Sequence, residues 1–159
     1  RSTYMKRIGV ISDTHLSKPT DDFKYTLDKC FAEVEIVIHA GDMTGLLVHD
    51  YLVKWDLKAV AGNMDDSDLC AILPEKRVEE IEGWKIGITH GRGSPFWLEQ
   101  FVLDKFENVD IVIFGHSHIP LSTKKRNIHL FNPGSYRSSR TVGILELGEK
   151  ISFNLIELR

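Results

Sequence analysis

Residues 111–118 read Ile-Val-Ile-Phe-Gly-His-Ser-His. Four apolar residues run without a break, stop at a glycine, and give way to two histidines spaced by one. A short, continuous run rich in β-branched residues suits a strand covered on both faces. The chain repeats the arrangement four more times. Ile8-Gly9-Val10-Ile11 leads into Ser12-Asp13-Thr14-His15, and Ile36-Val37-Ile38 into His39-Ala40-Gly41-Asp42. Ala59-Val60-Ala61 leads into Gly62-Asn63, and Ile86-Gly87-Ile88 into Thr89-His90-Gly91. With His39 set aside as the last residue of its strand, five expected strand ends thus deliver two Asp, one Asn and four His.

Helical patterns separate the runs. Leu27, Cys30, Phe31 and Val34 follow i, i+3, i+4, i+7 spacing, and Leu47, Tyr51 and Leu52 are read as lining a second helix. Ser94-Pro95 reads as an N-cap with proline at the first helical position, followed by the apolar stripe Leu98, Phe101, Val102. Strands alternating with helices predict an α/β layered domain. Thr141 to Leu147 and Ile151 to Leu158 read instead as a hairpin around Gly148-Glu149, so the sheets are expected to be mixed. Trp55, Trp84 and Trp97 are read as core or rim.

The 159 residues fit one domain, taken as 5–159. Residues 1–4 are read as an expression remnant ahead of Met5, although Tyr4 can equally be native. A net charge of −3 with 27% charged residues offers no global attraction for membranes or extended nucleic acid. Cys30 and Cys70 lack C-x-x-C spacing, which excludes a cysteine zinc knuckle and a disulfide framework. No apolar run approaches the roughly 18 residues that span a bilayer, and no signal peptide is visible. A cytoplasmic location is expected.

In open α/β sheets the carboxyl ends of strands line the edge where ligands bind. The five segments are therefore expected to converge. The pairs Asp13/His15 and His116/His118 can both point inward if the chain curls as it leaves the strand, and Gly41, Gly62, Gly91 and Gly115 permit sharp turns. Seven oxygen and nitrogen donors exceed the needs of one ordinary metal and match a dinuclear site with a bridging carboxylate. Imidazole with carboxylate suits Mn, Fe, Zn, Co or Ni rather than Ca or Mg. Two such ions can clamp the attacking and leaving oxygens of an in-line displacement and convert water to hydroxide. Each motif alone has a plainer explanation: a capping Asp, a Gly-Asn turn, a core histidine. The shared position after a strand is what favours a metal site.

Asp13-x-His15, Gly41-Asp42, Gly62-Asn63, His90 and Gly115-His116-x-His118 resemble the signature of the calcineurin-like metallophosphoesterases. Asn132-Pro133-Gly134-Ser135 is similar to the turn that follows it in a compact branch holding small bacterial and archaeal phosphodiesterases and, more remotely, a eukaryotic retromer subunit. The resemblance spans nearly the whole chain. It implies a four-layer α/β/β/α sandwich with two mixed sheets. It also implies a first metal on Asp13, His15 and His118, a second on Asn63, His90 and His116, and Asp42 bridging them. The expected cofactor is a pair of divalent ions, Mn first, with Ni, Co, Fe or Zn as alternatives. His39, His49 and His129 match no ligand position and are read as structural.

The expected activity is hydrolysis of small phosphodiesters by a metal-bridging hydroxide, with Asp42 and Asn63 in the catalytic centre. Many superfamily members carry His after the Asn, where it protonates the leaving group. Here that position is Met64, and Asp65 or Asp66 is the remaining candidate donor. Arg92 replaces the second histidine of the branch's His-Gly-His. Either it holds a phosphate oxygen together with Asn63, or it is a surface residue on a glycine-flanked loop; Arg137 is a second candidate of that kind. The alternatives are a non-catalytic interaction scaffold of the same fold and a phosphomonoesterase. The expected partner is a small phosphate ester, and a homo-oligomer remains compatible with the sequence.

Overall fold

The computed structural model describes residues 5–158; the reading of residues 1–4 lies outside them. The element order is β1 (Lys6–Ile11), α1 (Asp21–Cys30), β2 (Ile36–His39), α2 (Leu46–Leu52), β3 (Asp56–Ala59), α3 (Ser67–Ile72) and β4 (Lys76–Ile81). Then follow β5 (Trp84–Thr89), α4 (Pro95–Leu103), β6 (Ile111–Ile113), β7 (Leu121–Lys125), β8 (Ile128–Asn132), β9 (Thr141–Leu147) and β10 (Ile151–Glu157).

The strands form two five-stranded mixed sheets. One runs β10-β9-β1-β2-β3 and the other β4-β5-β6-β8-β7. In the first, β1, β2 and β3 are parallel, while β9 and β10 form the expected antiparallel hairpin. In the second, β5, β6 and β8 are parallel, with β4 and β7 antiparallel on the two edges.

Three apolar clusters define the layers. Alternate residues of a strand point to opposite faces, and both faces of the central strands are covered. Ile8, Val10, Ile36 and Ile38 from the first sheet meet Ile86, Ile88, Ile111 and Ile113 from the second. Ile11 and Val37 face outward against Phe23 and Leu27 of α1, Val48 and Leu52 of α2, and Leu69 of α3. Val112 and Leu130 face outward against Leu98, Val102 and Leu103 of α4. The result is the four-layer sandwich expected from the resemblance. It also explains why the central strands read as unbroken apolar runs.

Several local expectations shift. The third strand is Asp56–Ala59, earlier than the run Ala59-Val60-Ala61; it pairs only with β2, and an edge strand tolerates the charges of Asp56 and Lys58. In α2 the buried positions are Val48 and Leu52, while Leu47 is exposed. Trp55 and Trp84 are half-buried, but Trp97 stands 64% exposed beside Phe96. Ser94 caps α4 as expected, its side chain accepting the Phe96 N–H at 3.2 Å.

Candidate metal centre

The loops that leave β1, β2, β5 and β6 meet at one end of the sandwich. Beyond the strands, the β1 and β2 loops continue to pair: Asp13 N–H donates to Gly41 O at 3.0 Å and His15 N–H to Asp42 O at 3.1 Å. Asp13, His15, Asp42, His116 and His118 all have positive φ, between 48° and 72°. Left-handed backbone at non-glycine residues costs roughly 1–2 kcal/mol each and concentrates at functional sites. Here it serves a purpose. Residues i and i+2 of a strand share a face; Asp13 and His15 keep that spacing past the end of β1, where left-handed turns gather their donor atoms with that of His118.

Close approach makes two glycines obligatory. A methyl group on Gly62 would strike the Asp42 carboxylate, and one on Gly115 would strike Ser12 Oγ and Asp13 Oδ2.

The donor atoms form two overlapping groups, Asp13/His15/His118 and Asp13/Asp42/His90, each with all its atoms within 4.8 Å of one another. His118 Nε2 lies 3.2 Å and His15 Nε2 3.6 Å from Asp13 Oδ1. His90 Nε2 lies 3.1 Å and His15 Nε2 3.8 Å from Asp42 Oδ2. Despite these distances, Asp13 Oδ1, His15 Nε2 and His90 Nε2 are buried without a hydrogen-bond partner among the described residues. They aim at shared space rather than at one another. Buried polar atoms are normally satisfied, so this trio fits a divalent cation better than it fits a hydrogen-bond network. The carboxylate common to both groups is Asp13, while Asp42 Oδ2 faces His15 of one and His90 of the other.

The outer atoms of these ligands are held as metal ligands usually are. His90 Nδ1–H donates to Ala40 O at 2.8 Å, which turns Nε2 inward. His118 Nδ1 contacts Ser138 Oγ at 3.2 Å, with the same consequence. Asp13 Oδ2 accepts from Ser12 Oγ at 2.7 Å and from the His116 N–H at 3.2 Å. Asp42 Oδ1 accepts the Met64 N–H at 2.7 Å.

Two expected ligands stand on the rim. His116 packs edge-on against His90, with centroids 5.3 Å apart, but its Nε2 is engaged by Gly93 O at 3.0 Å. Nδ1 is then the ring nitrogen left for another partner. Asn63 is exposed and lines a cleft together with His90 and Arg92. Asp65 is used otherwise. Its Oδ1 accepts the Thr44 N–H and its Oδ2 the Gly62 N–H, both at 2.7 Å. With both oxygens taken as acceptors, it clamps the Gly62 turn to the β2 loop and offers no proton to a leaving group. Asp66 precedes α3, and its N–H donates to Thr44 O at 3.0 Å. Met64 is 57% exposed.

Electrostatics follow from this packing. Burial opposes ionisation of Asp13, but His15, His90, Ser12 and His118 outweigh it and hold the carboxyl below its usual range. Burial likewise opposes Asp42, and His90, the Met64 N–H and His15 more than offset it. The neighbouring Asp13 carboxylate raises His15, with Asp42 assisting. Burial pushes His90 down, but Asp42, Asp13 and the Ala40 carbonyl prevail, and its pKa is raised. The two carboxylates and the His15 and His90 rings thus favour one another's charged forms.

His39 behaves differently. It ends β2 wholly buried, and burial pushes its pKa down to about 4. Its Nδ1 accepts the Gly41 N–H at 3.1 Å, so Nε2 carries the proton and faces Thr14 Oγ1 at 3.3 Å, which donates to Met43 O at 3.1 Å. The neutral ring thus ties the β1 loop to the β2 loop beneath the site, a structural role in keeping with its strand-end position.

Sequence reasoning missed three supports. Asn132 Nδ2 donates to Gly115 O at 3.1 Å, and Ser135 Oγ donates to Asp13 O at 2.9 Å. The Asn-Pro-Gly-Ser turn is thus a brace shared by the Asp13 and His116 loops. Ser138, which orients His118, follows that turn closely, the one signal that pointed toward it. Arg137 is exposed, and its N–H donates to Ser135 Oγ at 3.1 Å.

Comparisons with known proteins bear on the family and the fold. The profile of the calcineurin-like phosphoesterase superfamily domain matches residues 5–150. A probable metallophosphoesterase of Methanocaldococcus jannaschii is 40% identical over 134 residues, covering 80% of this chain and 67% of the relative. A solved structure described as a novel archaeal phosphodiesterase superposes with a TM-score of 0.72 at 28% identity, covering 96% of this chain and 99% of that one. The vacuolar protein sorting 29 structure of Cryptosporidium parvum superposes with a TM-score of 0.82 at 20% identity, covering 98% and 93%, a likeness of fold.

Proposed function

The chain belongs to the calcineurin-like phosphoesterase superfamily, and we propose that it is a metal-dependent phosphodiesterase acting on small phosphodiesters. The observation that carries the reading is the trio of buried, unpartnered atoms, Asp13 Oδ1, His15 Nε2 and His90 Nε2, facing one space between two carboxylates. Asp13, His15 and His118 would hold one ion, Asn63, His90 and His116 a second, and Asp42 would contact both. Two divalent ions there supply Lewis acidity toward phosphoryl oxygens and lower the pKa of water.

The chain's own residues do the rest. Arg92 stands beside Asn63 and His90, where its planar fork suits a phosphate oxygen. Gly93 O fixes the His116 ring, and Ala40 O the His90 ring. Leaving-group protonation falls to solvent, because Met64 has no proton to give and Asp65 is clamped. Missing general-acid help of about 10²–10⁴-fold restricts efficient turnover to esters that leave readily as anions.

The test is hydrolysis of bis(4-nitrophenyl) phosphate by protein stripped with chelator and reloaded with Mn²⁺, Ni²⁺, Co²⁺, Zn²⁺ or Mg²⁺. We expect turnover with at least one of the first four ions and its loss on chelation. Absence of metal-stimulated turnover with every ion would overturn the proposal.

A further inference from the structure

Asn63 and His90 also line a cleft of about 350 Å³. Its remaining wall joins apolar Ala61, Leu73 and Phe101 to polar Thr89 and to Glu75, with Arg92 at its side. The Arg92 guanidinium carbon lies 5.6 Å from the centre of the Phe101 ring. Lys105 Nζ lies 5.1 Å from the same ring and is paired with Glu75 at 3.1 Å. Lys105 is the main partner holding the Glu75 carboxyl below its usual range, with Arg92 a lesser one; among the described residues no carboxylate lies within ion-pair distance of Arg92, which leaves its N–H fork for an anion.

Three features restrict the occupant. The volume is at the lower end of the roughly 300–1,000 Å³ range of small-molecule sites, which suits one ring system rather than an extended chain. Phe101, already in contact with the Arg92 and Lys105 cations, extends the apolar wall of Leu73 and Ala61, and the guanidinium plane supplies a flat face for stacking. Finally, Met64 has no proton to give and both Asp65 oxygens accept backbone N–H groups, so a phenolate is favoured over an alkoxide, because it is the conjugate base of a much stronger acid.

We propose that this cleft receives the aromatic leaving group of an aryl phosphodiester, its ring against Leu73 and Phe101 beside Arg92, with the phosphoryl group next to Asn63 and His90. The inference rests on the phosphoesterase reading. In the reaction, water oxygen bonds to phosphorus while the P–O(aryl) bond breaks with its electron pair on the phenolate. One water proton stays on the phosphate monoester and the other passes to solvent.

The cleft contains its own reporter. Cys70 lines it and is exposed, whereas Cys30 lies elsewhere, half-buried, with its thiol pushed up by burial. Alkylation of Cys70 by iodoacetamide, followed by mass spectrometry with Cys30 as internal reference, reads occupancy without turnover. Phenyl phosphate and methyl phosphate are compared, with and without Mn²⁺. We expect phenyl phosphate to protect Cys70 at concentrations roughly 3- to 10-fold lower than methyl phosphate. Phe101→Leu, which keeps apolar bulk against the α4 cluster, should erase most of that difference. Arg92→Ala should weaken protection by both compounds. Equal protection by the two phosphates, or protection unchanged in Phe101→Leu, overturns the cleft assignment. Selective protection by phenyl phosphate without metal-stimulated diester turnover instead overturns the phosphoesterase reading and leaves the aryl-binding cleft standing.

Discussion

The two sheets make unlike contributions to the candidate centre. The β10-β9-β1-β2-β3 sheet sends out Asp13, His15, Asp42 and Asn63, and with them both carboxylates. The β4-β5-β6-β8-β7 sheet sends out His90, His116 and His118, imidazoles alone. Neither half is a metal site by itself. The first offers two buried acids with His15 and Asn63, the second histidines alone; each donor group draws on both, and the interface filled by Ile8, Val10, Ile38, Ile86, Ile88 and Ile113 brings them within 4 Å. The centre is thus a property of how the layers pack.

The strongest way to break this contrast is to remove one donor from each sheet. Asp13→Asn takes away the carboxylate common to both donor groups and should lower metal-stimulated kcat/KM by about 10³-fold or more. His118→Ala takes a donor from only one group, and the loss should be smaller. Equal losses in steady-state kinetics would mean that the two sheets are not divided as described. A finer test leaves every donor in place. Ser138→Ala removes the contact at His118 Nδ1 and should weaken metal binding by roughly 10-fold, measured by titration calorimetry; unchanged affinity would show that the ring needs no orienting partner.

The smallest expected effect is a pH dependence. The raised imidazoles, His15 and His90, hold protons that a metal must displace. Metal affinity should therefore climb as pH rises through and above the ordinary histidine range, with proton release visible as buffer-dependent binding heats. A flat profile from pH 6 to 9 would contradict the charge pairing. The metal-free fold carries opposed contributions. A histidine whose pKa is raised adds stability that is present below its unfolded value and is lost as pH rises through the folded one. His39 has the reverse sign: its stability is present above the ordinary value of 6.5 and is lost as pH falls toward about 4.

Much of this was legible because the buried strands have no polar residue to blur them. Ile36-Val37-Ile38 and Ile111-Val112-Ile113 are apolar on both faces, and the donors follow immediately. The edges were not legible. Lys76–Ile81 and Leu121–Lys125 are interrupted by charged residues, which strands with only one neighbour tolerate, and α3 spans too few residues to show a period. Convergence across two separate sheets, rather than along one sheet edge, came only through the family resemblance, since strand order lies in long-range pairing that the apolar runs themselves do not carry. Asp65 shows a further limit: an acid next to an expected site looks the same in sequence whether it donates a proton or, as here, receives two backbone N–H groups.

The left-handed backbone at Asp13, His15, Asp42, His116 and His118 also sets how this protein can be re-engineered. Asn, Asp, His and Gly accept that conformation far more readily than β-branched residues do. A designer seeking a different ion has a narrow alphabet at these five positions, so retuning is better sought at Asn63 or at the serines and carbonyls behind the rings.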